Sequence, residues 1–204
     1  MRIKICGITN LQDALVCVNN GADALGFIFY EKSPRFISPE KAIDIIQKIP
    51  LFVFKVGVFV DEKIEIVNSI ARQTSLNAVQ LHGNETPDYA KNIFLPVIKS
   101  FRVNENYDWS LIDKYENCEI LLDSYSSQAI GGTGKKFNWD LIPKEIKSKI
   151  ILSGGISINN LETIFTNIKP AAIDISSSLE SEPGKKDHKK VNEFFEKFYR
   201  FNNK

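Results

Sequence analysis

The sequence predicts a single (β/α)8 TIM-barrel domain over residues 1–204, and three observations predict it. Short β-rich runs alternate with amphipathic helical patterns from one end of the chain to the other, which calls for a parallel sheet with helical crossovers. Eight such units can be counted, the number that closes a barrel, and 204 residues suits the compact end of that fold. The open doubly wound alternative would carry a Gly-x-Gly-x-x-Gly turn after its first strand, and Lys4-Ile5-Cys6-Gly7-Ile8-Thr9 has none.

The first strand covers residues 2–8, and its helix follows through Leu11, Ala14, Leu15 and Val18 to a stop at Gly21. The second strand covers 24–30. Ser38 and Pro39 then supply an N-cap and a proline at the first helical position, where its missing N–H is not needed. Residues 52–60 form the third strand, and Ile64, Val67, Ile70 and Ala71 recur at the helical period after it. Residues 78–81, 97–103 and 119–123 are the fourth to sixth strands, with helices expected near 87–93 and 109–115. Residues 149–152 and 171–175 complete the set, with helices over 159–168 and 189–201.

In a barrel of this kind, catalytic groups come from the C-terminal ends of the strands and the loops that follow them. Cys6 ends the first strand and Asp123 the sixth, while Arg35 follows the second and His82 the fourth. Cys17, on a helix, and Cys118, before its strand, read as small core filler, the usual place of a free cysteine. Gly131-Gly132-Thr133-Gly134-Lys135, after the sixth strand, has the flexibility of a closing lid. Ser153-Gly154-Gly155 ends the seventh strand and Ser176-Ser177-Ser178 the eighth. Loops at those two strands commonly cradle a phosphate, glycine admitting close approach of backbone N–H groups and serine adding hydroxyls. A phosphate is therefore expected at Gly154, Gly155, Ser177 and Ser178.

Composition narrows the classes of partner. With 43% hydrophobic and 25% charged residues the chain reads as a soluble globular protein. Lysine and arginine number 26 against 25 acids, a net charge of +1 that gives no long-range pull toward nucleic acid or an anionic membrane. Its 3 cysteines and 2 histidines are scattered, whereas a zinc site needs about four ligands at short spacing. An odd cysteine count fits a reducing compartment. Polar Thr9, Asn10, Gln12 and Asp13 interrupt any N-terminal signal core, and no apolar run approaches the roughly 18 residues of a membrane helix. The expectation is a cytoplasmic protein acting on a phosphorylated small molecule.

Several motifs carry a resemblance along nearly the whole chain. They are Lys-Ile-Cys-Gly-Ile-Thr (4–9), Leu-Gly-Phe-Ile-Phe with Ser-Pro-Arg (25–29, 33–35), Val-Gly-Val-Phe-Val (56–60) and Val-Gln-Leu-His-Gly-Asn-Glu (79–85). They continue with Leu-Leu-Asp-Ser (121–124), Gly-Gly-Thr-Gly-Lys-Lys-Phe-Asn-Trp (131–139), Ser-Gly-Gly-Ile (153–156), Asp-Ile-Ser-Ser (174–177) and Glu-x-x-Pro-Gly-x-Lys-Asp (180–187). In this order they resemble the phosphoribosylanthranilate isomerase family. The resemblance implies an Amadori rearrangement in tryptophan biosynthesis, with Cys6 as general base and Asp123 as general acid. It also implies that Arg35 meets the anthranilate carboxylate, where a planar guanidinium can bind two oxygens at once. It implies no metal or organic cofactor, because the substrate nitrogen is the electron sink, and a monomer or homodimer. It assigns His82 no defined role. Asp174 and Lys135 match the motifs but could simply cap or face solvent.

One position departs from the family. Ser178 stands where the pattern has glycine, and a serine forced to positive φ would carry strain of order 1 kcal/mol. Two other readings compete. The histidine-pathway ribonucleotide isomerase barrels perform a related rearrangement but use aspartate where this chain has Cys6. A phosphate-binding barrel without catalysis would need neither Cys6 nor Asp123.

Overall fold

Eight parallel strands pair edge to edge in chain order, β1 through β8, and β8 pairs back onto β1 to close the barrel. The structure is a computed structural model, and it describes residues 1–124 and 137–202. The strands are β1 (Arg2–Cys6), β2 (Ala24–Ile28), β3 (Phe54–Phe59), β4 (Ala78–Leu81), β5 (Val97–Val103), β6 (Cys118–Ser124), β7 (Ile151–Leu152) and β8 (Ala172–Ile175). Most start or stop one or two residues away from the expected limits, because a strand ends where its ladder partners end. β7 is the extreme case, with Lys149 and Ile150 outside the ladder.

Strand alternation sorts the side chains into two cores. Facing outward, Ile3, Ile5, Leu25, Phe27, Val79, Leu81, Leu122, Leu152, Ile173 and Ile175 pack against the helices. Facing inward, Val56, Ala78, Ile98 and Leu121 fill the barrel, with Ala24 and Ile151 against them. Two residues further along the same inner faces come Gly26, Gln80, Ser100 and Asp123, so the polar side chains gather toward the mouth.

Four helices match their local sequence closely. They are α1 (Leu11–Asn19), α2 (Pro39–Ile46), α3 (Ile64–Gln73) and α4 (Pro87–Lys91). Asn10 caps α1 through the Asp13 N–H, Ser38 caps α2 through the Lys41 N–H, and Thr86 caps α4 through the Tyr89 N–H. Later crossovers are less regular. Residues 109–114 wind as a 3-10 helix, and β6 leads through Trp139–Leu141 to a single short helix, α5 (Lys144–Lys147). The crossover before β8 begins as a 3-10 turn, passes through α6 (Leu161–Thr163) and ends in a π-turn over Ile164–Ile168. Only its buried Leu161, Ile164 and Ile168 need to reach the barrel, and an irregular winding suffices for that. After β8 the chain forms an unexpected hairpin, β9 (Glu180–Glu182) and β10 (Lys185–Lys186), then α7 (His188–Asn202). Val191, Phe194, Phe195 and Phe198 seat α7 in the outer core at helical spacing. The glycine-rich stretch 131–135, with Lys135, lies outside the described residues. No helix among those described is long and apolar enough to cross a membrane.

Candidate active site

Cys6 and Asp123 both lie at the C-terminal mouth, buried, with β7 and β8 between their strands. Cys6 follows from the period of β1: Ile3 and Ile5 face the helices, so Lys4 and Cys6 face the interior. Burial pushes the Cys6 thiol up, against the pull of the Lys4 and Lys186 ammonium groups. Cys17 is fully buried in α1 and burial drives its thiol to about 12, which makes it the inert filler the sequence suggests. Cys118 opens β6 at the opposite end of the barrel from the mouth.

Asp123 uses its two oxygens differently. Oδ1 accepts the Ser124 N–H at 2.8 Å, while Oδ2 stands 3.4 Å from His82 Nε2. His82 Nδ1 meets Gln80 Nε2 at 3.1 Å, and Gln80 Nε2 also donates to Ser100 Oγ at 3.1 Å. The buried His82 Nε2 has no hydrogen-bond partner among the described residues. The imidazole is therefore supported on one side and directed at the carboxylate on the other.

The turn after β7 comes close to Asp123. Gly154 and Gly155 have φ of 80° and 69°, the left-handed region that a residue with a β-carbon enters only with strain. A β-carbon on Gly154 would lie 2.7 Å from Asp123 Oδ1. Asn160 pins this turn by donating to the Gly155 carbonyl at 2.8 Å. The chain after β8 makes a single 3-10 turn, Ser177–Leu179. The N–H groups of Gly154, Gly155, Ser177 and Ser178 meet no acceptor among the described residues, and the buried Ser178 Oγ has no partner either. The strain expected at position 178 is absent: Ser178 is not among the positive-φ residues, because a 3-10 turn runs at negative φ.

Arg35 closes the other side of the mouth. Its Nε and Nη2 grip Glu180 of β9 at 2.7–3.1 Å, and Nη1 makes no hydrogen bond among the described residues. Glu180 also accepts from Lys186 Nζ at 2.9 Å, and Lys186 Nζ donates to the Cys6 carbonyl at 2.7 Å. Burial opposes ionisation of Glu180, but Arg35 and Lys186 outweigh it and hold the carboxyl below its usual range. A β-carbon on Gly7 would lie 2.7 Å from Arg35 Cδ, so the guanidinium stem runs directly against Gly7, the residue after Cys6.

Several residues here went unassigned from sequence. Asp174 neither caps nor faces solvent: it is buried in an ion pair with Lys4 at 2.8 Å. Arg102 follows Ile98 and Ser100 on the inner face of β5, stands in register with Asp123, and has no partner among the described residues. Stepping by two from Cys6 and from Ile98 would have flagged Lys4 and Arg102. Glu180 and Lys186 sit inside a motif the resemblance rests on, but their pairing depends on the hairpin. Among the described residues no group of three or more His, Cys, Asp or Glu is placed to hold a metal ion.

Comparison with known proteins identifies the family. The family model for N-(5'-phosphoribosyl)anthranilate isomerase matches residues 3–197. The N-(5'-phosphoribosyl)anthranilate isomerase of Trichlorobacter lovleyi is 47% identical over 196 residues, covering 95% of this chain and 96% of its own. A crystal structure of phosphoribosyl anthranilate isomerase in complex with reduced 1-(o-carboxyphenylamino)-1-deoxyribulose 5-phosphate superposes with a TM-score of 0.87 at 41% identity, covering 98% of this chain and 99% of that one. Monomers generated from the dimeric enzyme of Thermotoga maritima superpose with a TM-score of 0.87 at 40% identity and the same coverage. The chain belongs to the N-(5'-phosphoribosyl)anthranilate isomerase family, aldose–ketose isomerases of tryptophan biosynthesis.

Proposed function

We propose that residues 1–204 act as one catalytic domain, which converts N-(5-phosphoribosyl)anthranilate to 1-(2-carboxyphenylamino)-1-deoxyribulose 5-phosphate, with Asp123 as general acid and Cys6 as general base. The observation that carries this reading is the pair of buried groups at the mouth of one barrel, with unclaimed backbone N–H groups in the turns after the two strands between them. Asp123 protonates the furanose oxygen as the nitrogen lone pair opens the ring to an iminium ion. The iminium acidifies C2–H, and the Cys6 thiolate removes that proton while the bonding electrons return to nitrogen. The resulting enolamine takes up a proton at C1 and loses the hydroxyl proton at C2, giving the ketone. Among the described residues, Arg35 Nη1 and the unpaired Arg102 are the cations left at the mouth to receive the anthranilate carboxylate. Purified protein should turn over this substrate and not the histidine-pathway ribonucleotide; turnover of the latter, or of neither, would overturn the assignment.

The phosphate is read at Gly154, Gly155, Ser177 and Ser178, held chiefly by backbone donors that the fold keeps in place. Ser178→Gly keeps its N–H, so KM should stay within a few-fold of wild type. Gly155→Val places a β-branched residue at a φ of 69° and should raise KM sharply. An unaltered KM in the valine variant would move the phosphate elsewhere.

A homodimer is the assembly the surface favours. Leu51, Phe52 and Phe54 form an apolar cluster before and within β3, at the N-terminal end of the barrel, and Phe52 is 97% exposed. Light scattering after size exclusion should show a dimer that Phe52→Glu converts to an active monomer. A wild-type monomer at micromolar concentration would remove this reading.

A further inference from the structure

Lys4 is buried in the barrel without a role in any step above. Its side chain is 5% exposed and its Nζ donates to Asp174 Oδ1 at 2.8 Å, across the seam where β1 and β8 pair in register. An apolar filling would serve the fold there as well as an ion pair. Val56, Ala78, Ile98 and Leu121 already fill the barrel apolarly, and buried pairs can often be exchanged for apolar residues without loss of stability. The pair therefore points to a need at the mouth above it.

Cys6 lies directly above. Gly26, its register partner on β2, shows how close the two groups come: a β-carbon there would stand 2.7 Å from Cys6 Sγ and 3.1 Å from Lys4 Nζ. Any larger residue at 26 would crowd the thiol and the ammonium together. With glycine in place, the Lys4 ammonium lies beside the Cys6 side chain and pulls the thiol down, while Asp174 holds the ammonium from the other side.

We propose that Lys4, oriented by Asp174, is the positioning residue that makes the Cys6 thiolate reachable. The inference rests on the reading of Cys6 as the base. It explains why a lysine is kept charged in the interior: burial alone would neutralise it, but Asp174 and then Cys6 outweigh burial and hold its pKa above the ordinary value. The remaining groups around the thiol do not replace it. β2 offers only Gly26, and from β8 Asp174 pushes the thiol up. From β10, Lys186 pulls the thiol down less strongly than Lys4, with its ammonium committed to the Cys6 carbonyl and to Glu180. Arg35 is paired to Glu180.

The test is the pH dependence of Cys6 alkylation by iodoacetamide, followed by peptide mass spectrometry so that Cys17 and Cys118 are read separately. Lys4→Met should move the Cys6 midpoint up by about one pH unit or more. At neutral pH, kcat should fall about 10-fold or more, since thiolate falls tenfold per unit, with KM nearly unchanged because Lys4 touches no substrate. Lys4→Arg, which keeps the charge, should return the midpoint toward wild type. Lys4→Met leaves Asp174 unpaired and can unfold the barrel, so the double variant Lys4→Met/Asp174→Leu removes both charges and should fold while keeping a raised midpoint. A wild-type midpoint in the folded double variant would reduce the pair to a structural element and overturn the inference. Failure of the base reading shows separately, as turnover that survives Cys6→Ala.

Discussion

Cys6→Ala should lower kcat at least about 10²-fold, the usual loss when a general base is removed. Cys6 is the thiol that the fold sends to the mouth, and no other side chain on β1 can reach C2 of a ribose held across it: Ile3 and Ile5 face the helices and Lys4 lies a layer below. Stability should change little, because alanine vacates only a small volume next to the open end. Cys17→Ala and Cys118→Ala are the controls and should keep wild-type turnover, one lying in α1 and the other at the far end of β6. Steady-state kinetics of the three variants decides the matter. Turnover retained by Cys6→Ala would take the thiol out of the chemistry.

Asp123→Asn should abolish turnover while leaving ligand affinity nearly intact. The amide keeps the shape of the carboxyl group and can still accept the Ser124 N–H, so the end of β6 stays in place. What it loses is an acidic proton for the ring oxygen, and without that step no iminium forms. A loss of about 10²–10⁴-fold in kcat is expected. The dissociation constant of reduced 1-(o-carboxyphenylamino)-1-deoxyribulose 5-phosphate should move by no more than a few-fold, measured by calorimetry, since that compound has no ring to open. If affinity, kcat and thermal stability instead fall together, Asp123 is a structural cap.

The two residues differ in how much of their setting could be read in advance. Cys6 follows an apolar alternation that fixes both its strand and its facing, and Asp123 likewise ends Ile120-Leu121-Leu122. The partners of Asp123 could not be read so directly. His82 is 41 positions away in the chain, and its approach to Oδ2 depends on how β4, β5 and β6 stagger around the barrel. Arg35 was legible as a loop arginine after β2, but its grip on Glu180 arises only because the chain after β8 folds back as a hairpin. Ser178 shows the converse. A one-residue departure from a family pattern suggested strain, and the backbone there winds as a 3-10 turn that accepts serine without it.

The sequence by itself determined the barrel, the order of its eight strands, the cysteine and aspartate at its mouth and the glycine and serine turns of β7 and β8. Each of these is local: a period of two, a cap, or a turn residue imposes it within a few positions. Tertiary structure alone decided which charges meet. Lys4 reaches Asp174 from 170 positions away, Lys186 reaches the Cys6 carbonyl from 180, and Arg35 reaches Glu180 from 145. Closing β8 onto β1 makes these contacts, because it brings the two ends of the chain together and leaves buried charges no solvent to turn to. Each charge must then find an opposite charge or a carbonyl within the barrel mouth itself.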